Sequence, residues 1–358
     1  MDFLPGAHMD STVLHRYEGN PVISIDDVKP TAEGMQVVGI FNCGGVLRNG
    51  RVYLVCRTAE RMISQEEDKL IVPFWDRNGF SSLSFDRDDS HLDLSDSRLV
   101  RDRRSGKVVA LTSFSSFRLA ISDDGYHFQV ADTPCILPDP VTEAWGMEDP
   151  RVTELEGKYY LTYSSVSRDG VGVSLAVTDD FKTYASLGMI LPPTNKDTVL
   201  FPERIDGRYY LLHRPSPSGD IGSSDIWLAD SVDLVHWGNH RHLCSSREGN
   251  SWEWGKIGAG TPPIHIPEGW LLLYHGVDMQ ERYAMGALLL DGKDPSVILS
   301  RSVKPVMLPE MPYEKSGFFS ETVFPCTAIL SGDKVIVFYG AADNSICRVD
   351  ITLDGLLV

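Results

Sequence analysis

This sequence is short of positive charge. Its 33 lysines and arginines face 50 aspartates and glutamates, giving a formal net charge of -17. Nucleic acid and anionic membrane surfaces would both repel such a chain, so neither is expected as a partner. Long apolar runs are missing too. None could span a bilayer and no basic-then-apolar leader opens the chain, so a cytoplasmic protein is expected. The six cysteines stand singly at 43, 56, 135, 244, 326 and 347, with no Cys-x-x-Cys pair. That spacing argues against zinc, and a chain of 358 residues with 42% hydrophobic residues has no need of a disulfide framework. No Ser-His-Asp order and no His-rich metal spacing stand out. The Gly258-Ala-Gly260 stretch lacks the spacing and the following helix of a dinucleotide or phosphate loop.

What the sequence does have is a recurring short pattern. A turn carrying glycine or a charge leads into a run of Val, Leu, Ile and Tyr. It occurs at 50–56, 106–112, 157–163, 207–213, 269–274 and 332–339. Such β-branched and aromatic runs predict strands. A second pattern follows most copies at 119–128, 175–184 and 226–237: a strand, an Asp/Ser turn, then an aromatic residue able to plug the next sheet. Two hairpins per repeat of roughly 50 residues is what a propeller blade requires. The copies number five, with an incomplete sixth divided between the chain ends, which could share one blade. Long amphipathic helical periodicity is missing, and no Pro/Gly/Ser linker divides the chain. The reading is one all-β domain over residues 10–358, with residues 1–9 set aside as an expression remnant. The charged, irregular stretch 58–105 reads as an insertion or lid.

Chemistry concentrates at the ends of these runs. The motif Gly146-Met-Glu-Asp-Pro-Arg151 places Asp149 before a proline, which predicts an extended backbone at Asp149 just ahead of a new strand. Asp149 reads equally as a structural turn residue or as an acid at the loop face of a pocket. Arg151 could pair with Glu148 or Asp149, and a paired arginine would lower the carboxyl pKa. Behind this motif come Lys196, Arg214, Lys256 and His275, each at a strand end or in a Gly/Trp-rich turn. His275 alone reads most simply as a core histidine. Together, one acid facing a cluster of cations is what is needed to protonate a leaving group and hold an anionic nucleophile. Trp145, Trp252 and Trp254 read either as core packing or as a platform for a sugar ring.

These residues resemble glycoside hydrolase family 130, the inverting β-mannoside phosphorylases and their hydrolytic relatives. The resemblance runs from Asn20-Pro21 to Asp343. It is carried by Asn42-Cys-Gly-Gly45, Glu148-Asp-Pro-Arg-Val152, Leu200-Phe-Pro-Glu203, Leu212-His-Arg-Pro215, Lys256-Ile-Gly-Ala-Gly-Thr-Pro-Pro263, Tyr274-His-Gly276, Phe324-Pro-Cys326 and Tyr339-Gly-Ala-Ala-Asp343. The fold it implies is a five-bladed β-propeller. It implies Asp149 as the sole catalytic acid, protonating the glycosidic oxygen indirectly through the mannosyl 3-hydroxyl. Phosphate would attack the anomeric carbon from the opposite face and yield α-mannose 1-phosphate. Lys196, Arg214, Lys256, His275 and Tyr283 fall where phosphate is held, and Asn42, Arg57, Arg151 and Asp343 where the mannosyl ring is bound. No metal or organic cofactor is implied, only inorganic phosphate as co-substrate. Hydrolytic members have exchanged the phosphate cations for carboxylates that activate water, whereas this chain keeps them. One departure is Cys43, where the family usually has serine or proline; a thiol is a poor donor, which puts a contact from position 43 to phosphate in question.

The expectation is thus an inverting phosphorylase acting on β-1,2-mannobiose or a short β-1,2-oligomannan, with a manno-oligosaccharide and phosphate as partners. The alternatives are a β-1,4-mannosyl-N-acetylglucosamine phosphorylase, a hydrolytic β-1,2-mannosidase and a catalytically silent sugar-binding propeller. A homo-oligomer is left open.

Overall fold

The structure, a computed structural model, describes residues 14–217, 222–249 and 252–356. The stretch 1–9 read as an expression remnant lies outside them. The all-β reading holds: short strands are joined by tight turns, and the described helices are single turns, such as Pro312–Lys315. No helix among the described residues is long and apolar enough to cross a membrane.

The strands pair into three sheets of four or five strands, one of eight, and two small ones. Asn195–Leu200, Tyr209–Pro215, Ile226–Ser231 and Trp237–Cys244 form one antiparallel sheet. Lys256–Ala259, Gly269–Val277, Tyr283–Leu290 and Ile298–Arg301 form the next, with Ile264–Ile266 on its side. Val323–Ser331, Lys334–Ala341 and Ser345–Thr352 form a third, completed by Leu14–Arg16 pairing with the last of these. The two incomplete end copies of the repeat therefore share one sheet.

A five-bladed β-propeller is not what these pairings build. None of the sheets formed by the described residues closes on itself, and the first half of the chain is not divided into separate blades. Met35–Arg48, Arg51–Met62 and Phe114–Ser122 instead run on into Gly146–Leu155, Lys158–Ser167, Gly170–Thr178 and Ala185–Leu191 as one eight-stranded sheet, its eighth strand being Gln129–Val130. The join is a parallel bridge between Gly146 and Ser115. It needs glycine at 146, where φ is +117° and an added Cβ would lie 2.8 Å from the Ser115 nitrogen. A repeat count made from turn-and-strand signals cannot see such a bridge.

The stretch 58–105 also differs from its irregular appearance in the sequence. Arg51–Met62 continues through its start. Lys69–Asp76 and Gly79–Asp86 then form a hairpin, and Leu92–Asp93, Leu99–Asp102 and Val108–Leu111 a small sheet. A minor core of Val72, Val100 and Ala110 holds these strands. Their outer faces are rich in Asp, Arg and Ser, which hides the alternation.

The main core lies between sheets. All nine residues of Gly269–Val277 are buried, as expected of a near-continuous apolar run packed on both faces. Leu271 and Leu273 pack with Val335, Val337 and Tyr339 on one side, and Leu272 and Trp270 with Val199, Leu212 and Ile226 on the other. Each fully buried Leu or Val contributes about 1.5–3 kcal/mol.

Met35–Arg48 packs against Gly146–Leu155 and Val323–Ser331, and Asn195–Leu200 packs against Gly146–Leu155 and Lys256–Ala259. Three of them carry a bulge at a left-handed Asn or Asp: Asn42, Asp149 and Asp197, at φ +47°, +50° and +51°. Asn and Asp tolerate this region best among residues with a Cβ. The bulges re-aim these side chains toward a common point. Contact between strands is close enough to exclude a methyl group at Gly44, whose Cβ would sit 2.7 Å from the Val152 nitrogen and 2.8 Å from the Pro150 oxygen. Gly44→Ala should therefore cost about 1–3 kcal/mol, read as a lower denaturant midpoint at unchanged slope. A wild-type midpoint would mean that the two strands can separate freely.

Candidate active site

The re-aimed side chains line a cavity of about 230 Å³. Its walls include Phe41, Asn42, Arg57, Glu148, Asp149, Lys196, Asp197, Arg214, His275, Tyr283 and Asp343. Eight of the ten residues singled out from the sequence thus face one space. Lys256 adjoins it, with its Nζ 5.1 Å from the centre of the Tyr283 ring.

Asp149 sits at one end. It does not have the extended backbone that a following proline predicts. The bulge between Glu148 and Arg151 turns it left-handed, and two donors fix its Oδ1: Asn42 Nδ2 at 2.9 Å and Arg57 Nη1 at 2.9 Å. Arg57 also donates from Nη2 to Glu148 at 2.7 Å and from Nε to Ser115 at 3.0 Å, and its guanidinium lies over the Phe41 ring. Burial pushes the Asp149 carboxyl up. The charges of Arg57, Arg151 and Lys196 and the Asn42 amide outweigh it and hold the group below its usual range. Asp343 goes the other way. Burial, opposed by Arg57 but reinforced by Asp149 and Glu148, pushes it up to about 7. Near neutral pH Asp343 is thus poised to hold or release a proton, while Asp149 is ionised.

Arg151 is not among the residues lining the cavity. It is fully buried behind Asp149, donating to the Gly260 carbonyl from Nε and to the Asp149 and Pro150 carbonyls from Nη1. Cys43 is likewise in the core, packed with Ile40, Leu54 and Cys326, and burial holds its thiol well above the ordinary range. The exchange of serine or proline for cysteine therefore lies away from the cavity.

The other end is cationic. Lys196 and Arg214 are cross-strand partners, and His275 lies opposite Gly258 in the neighbouring sheet. Burial, together with Arg214 and Lys196, lowers Lys256 to about 8. Burial also lowers His275 to about 3, against the pull of Asp197, so its ring is neutral. Burial raises the Tyr283 phenol, which stays protonated and able to donate.

Trp145, Trp252 and Trp254 do not line this cavity. Trp252 packs against Tyr274 and donates to the Val303 carbonyl, while Trp254 is exposed. The aromatic walls are Phe41, Phe318, Phe319, Phe324 and Tyr283. Sequence reasoning also passed over Asp197, Glu148 and Arg98, the last reaching the cavity from the 58–105 stretch and lying over Phe319. Asp197 was legible in Asn195-Lys-Asp197 as a third polar residue at a strand start; nothing in the sequence pointed to Arg98. Among the described residues no group of His, Cys, Asp and Glu is placed to hold a metal ion.

An ionised carboxylate, a proton-bearing carboxyl beside it, aromatic walls and a cation cluster suit a polar ring compound next to a small oxyanion. A family model described as β-1,4-mannooligosaccharide phosphorylase, of glycoside hydrolase family 130, matches residues 104–357. The chain belongs to glycoside hydrolase family 130. Its relatives include a β-1,2-mannobiose phosphorylase of Listeria innocua, 42% identical over 347 residues, covering 96% of this chain and 97% of that protein. A 1,2-β-oligomannan phosphorylase of Thermoanaerobacter sp. is 37% identical over 230 residues, 63% of this chain and 75% of that one. The solved structure of the Listeria enzyme in complex with β-1,2-mannobiose superimposes with a TM-score of 0.92 at 41% identity, covering 96% of this chain and 98% of that one.

The cation cluster carries its own pH signature. Lys256 is charged below about pH 8 and loses its proton above it, so inorganic phosphate should bind more weakly as pH rises through that value. Lys256→Arg, which does not titrate there, should flatten the decline. Calorimetric titration across the range checks this, and an undiminished affinity in the wild type would remove Lys256 from the anion site.

Proposed function

We propose that this member of family 130 is an inverting β-1,2-mannoside phosphorylase, converting β-1,2-mannobiose and inorganic phosphate into α-mannose 1-phosphate and mannose. The observation that carries the reading is the meeting of Asp149 and the Lys196–Arg214–His275 group in one cavity. The near full-length similarity to the Listeria β-1,2-mannobiose phosphorylase supports the linkage.

In this reading the mannosyl ring lies against Asn42, Arg57 and Asp343, with phosphate on Lys196, Arg214, Lys256, His275 and Tyr283. Phosphate is already an anion, so attack on the anomeric carbon needs no protein base, unlike inverting hydrolysis by water. The glycosidic C–O bond breaks as the C–O bond to phosphate forms, and the leaving oxygen takes a proton. Asp149 is ionised in the free site. A phosphate anion beside Lys196 and Arg214 offsets the positive field that holds Asp149 low, and substrate excludes water from it; both effects raise its proton affinity. Asp149 then supplies the proton, by the resemblance through the mannosyl 3-hydroxyl. Arg151, from behind, holds the backbone of the bulge and contributes field without touching the ring.

Incubation of β-1,2-mannobiose with and without phosphate, with mannose 1-phosphate and free mannose assayed separately, tests the reaction. Phosphate-dependent mannose 1-phosphate is expected. Two free mannoses independent of phosphate would make the protein a hydrolase. Asp149→Asn should lower turnover by at least about 10²–10⁴-fold, the usual worth of a general acid, with an unchanged circular dichroism spectrum. A folded mutant of near wild-type activity would remove Asp149 from the role.

A further inference from the structure

One residue in the cationic end of the cavity has the opposite sign. Asp197 lies at the bulge of Asn195–Leu200 between Lys196 and Val199, and its side chain is only 2% exposed. Its Oδ2 accepts from Arg214 Nε at 2.6 Å and lies 3.4 Å from His275 Nε2. Room for it is made by Gly258, where a Cβ would come within 2.4 Å of the same oxygen. Both protein contacts fall on Oδ2. No described residue donates to Oδ1, and Asp197 is part of the cavity wall. Burial would push the carboxyl up, but Arg214, His275 and Lys196 hold it far below the usual range, so it is an anion at every working pH.

A carboxylate can only accept hydrogen bonds. Placed against an oxyanion it repels, unless the oxyanion brings a proton of its own; then the pair makes a short, charge-assisted O–H···O bond. Monohydrogen phosphate carries such a proton, whereas sulfate at neutral pH carries none. Asp197 is thus a wall acceptor that a fully deprotonated oxyanion leaves unsatisfied, and unpaired buried polar groups are the strongest source of discrimination between near-isosteric ligands.

Resting on the phosphorylase reading, we propose that Asp197 makes the anion site selective for a protonated oxyanion, accepting the P–OH of monohydrogen phosphate through Oδ1 and rejecting sulfate. The same bond fixes which phosphate oxygen faces the protein, so the unprotonated oxygens are left to Lys196, Arg214 and the anomeric carbon.

The test is the Km for phosphate and the inhibition constant for sulfate, measured in the wild type and in Asp197→Asn, whose amide can donate to either anion. The ratio of sulfate Ki to phosphate Km should fall by at least about tenfold in the mutant, chiefly through tighter sulfate binding, and arsenate, which is protonated like phosphate, should compete with phosphate well in the wild type. If Asp197 merely positioned Arg214 and His275, both anions would weaken together, and a ratio unchanged within about twofold would overturn the proposal. Should the mutant fail to fold, thermal shifts of the wild type decide. Equal stabilisation by sulfate and phosphate at matched concentration and ionic strength would overturn the proposal; stabilisation by phosphate and arsenate but not sulfate would support it. The thermal shifts need no sugar, so failure to form mannose 1-phosphate would sink the phosphorylase reading separately.

Discussion

The bridge from Arg57 to Glu148 and Asp149 is the interaction on which the site depends. It joins the strand Arg51–Met62 to the bulge of Gly146–Leu155, two strands of the eight-stranded sheet that are not direct partners. Its side chains are only 15%, 20% and 10% exposed, so each charge is costly unless all three remain paired. The fork of the guanidinium therefore dictates where Asp149 can sit, and a left-handed backbone follows from that demand in spite of the proline after it. Asn42 and Ser115 complete the geometry from either side. The fusion of sheets through Gly146 and Ser115 places the anchor and the acid on one continuous backbone, which serves precision better than two loops would.

The same device recurs at the anion end. Asp197 lies between Arg214 and Lys196 as Arg57 lies between Glu148 and Asp149, with the signs reversed. A carboxylate surrounded by cations at one end and a cation surrounded by carboxylates at the other show how a chain of net charge -17 can still concentrate positive charge in one cavity. Net charge governs long-range encounter, while a pocket answers to its nearest neighbours.

Much of this was legible in the sequence, and for a physical reason. Strands alternate and end in Gly or Asp turns, so the runs at 157–163, 207–213, 269–274 and 332–339 declare themselves. Charges at the ends of buried runs have few places to go except a pocket, which is why Lys196, Arg214 and His275 were found together. What escaped was long-range. The Gly146–Ser115 bridge joins residues 31 positions apart through one backbone contact, and no periodicity signals it; the five-bladed expectation failed there. Arg98 and Phe319 reach the cavity from distant stretches that look like surface. The tryptophans misled because a flat ring in a Gly-rich stretch looks the same in sequence whether Gly276 and Gly286 make room for it, as they do for Trp252, or a sugar does.

Lys196 connects the two ends. Its charge lowers Asp149 and Asp343 on one side, and bears on Asp197 and Lys256 on the other. Any anion that neutralises Lys196 is therefore felt at the acid without moving an atom. On the proposed reading, proton affinity at Asp149 rises when phosphate fills the cationic end, so the acid takes up its proton only when the nucleophile is present. A site built this way has a reason to leave β-mannosides intact in the absence of phosphate, because water brings no negative charge to offset the lysine and the acid stays ionised.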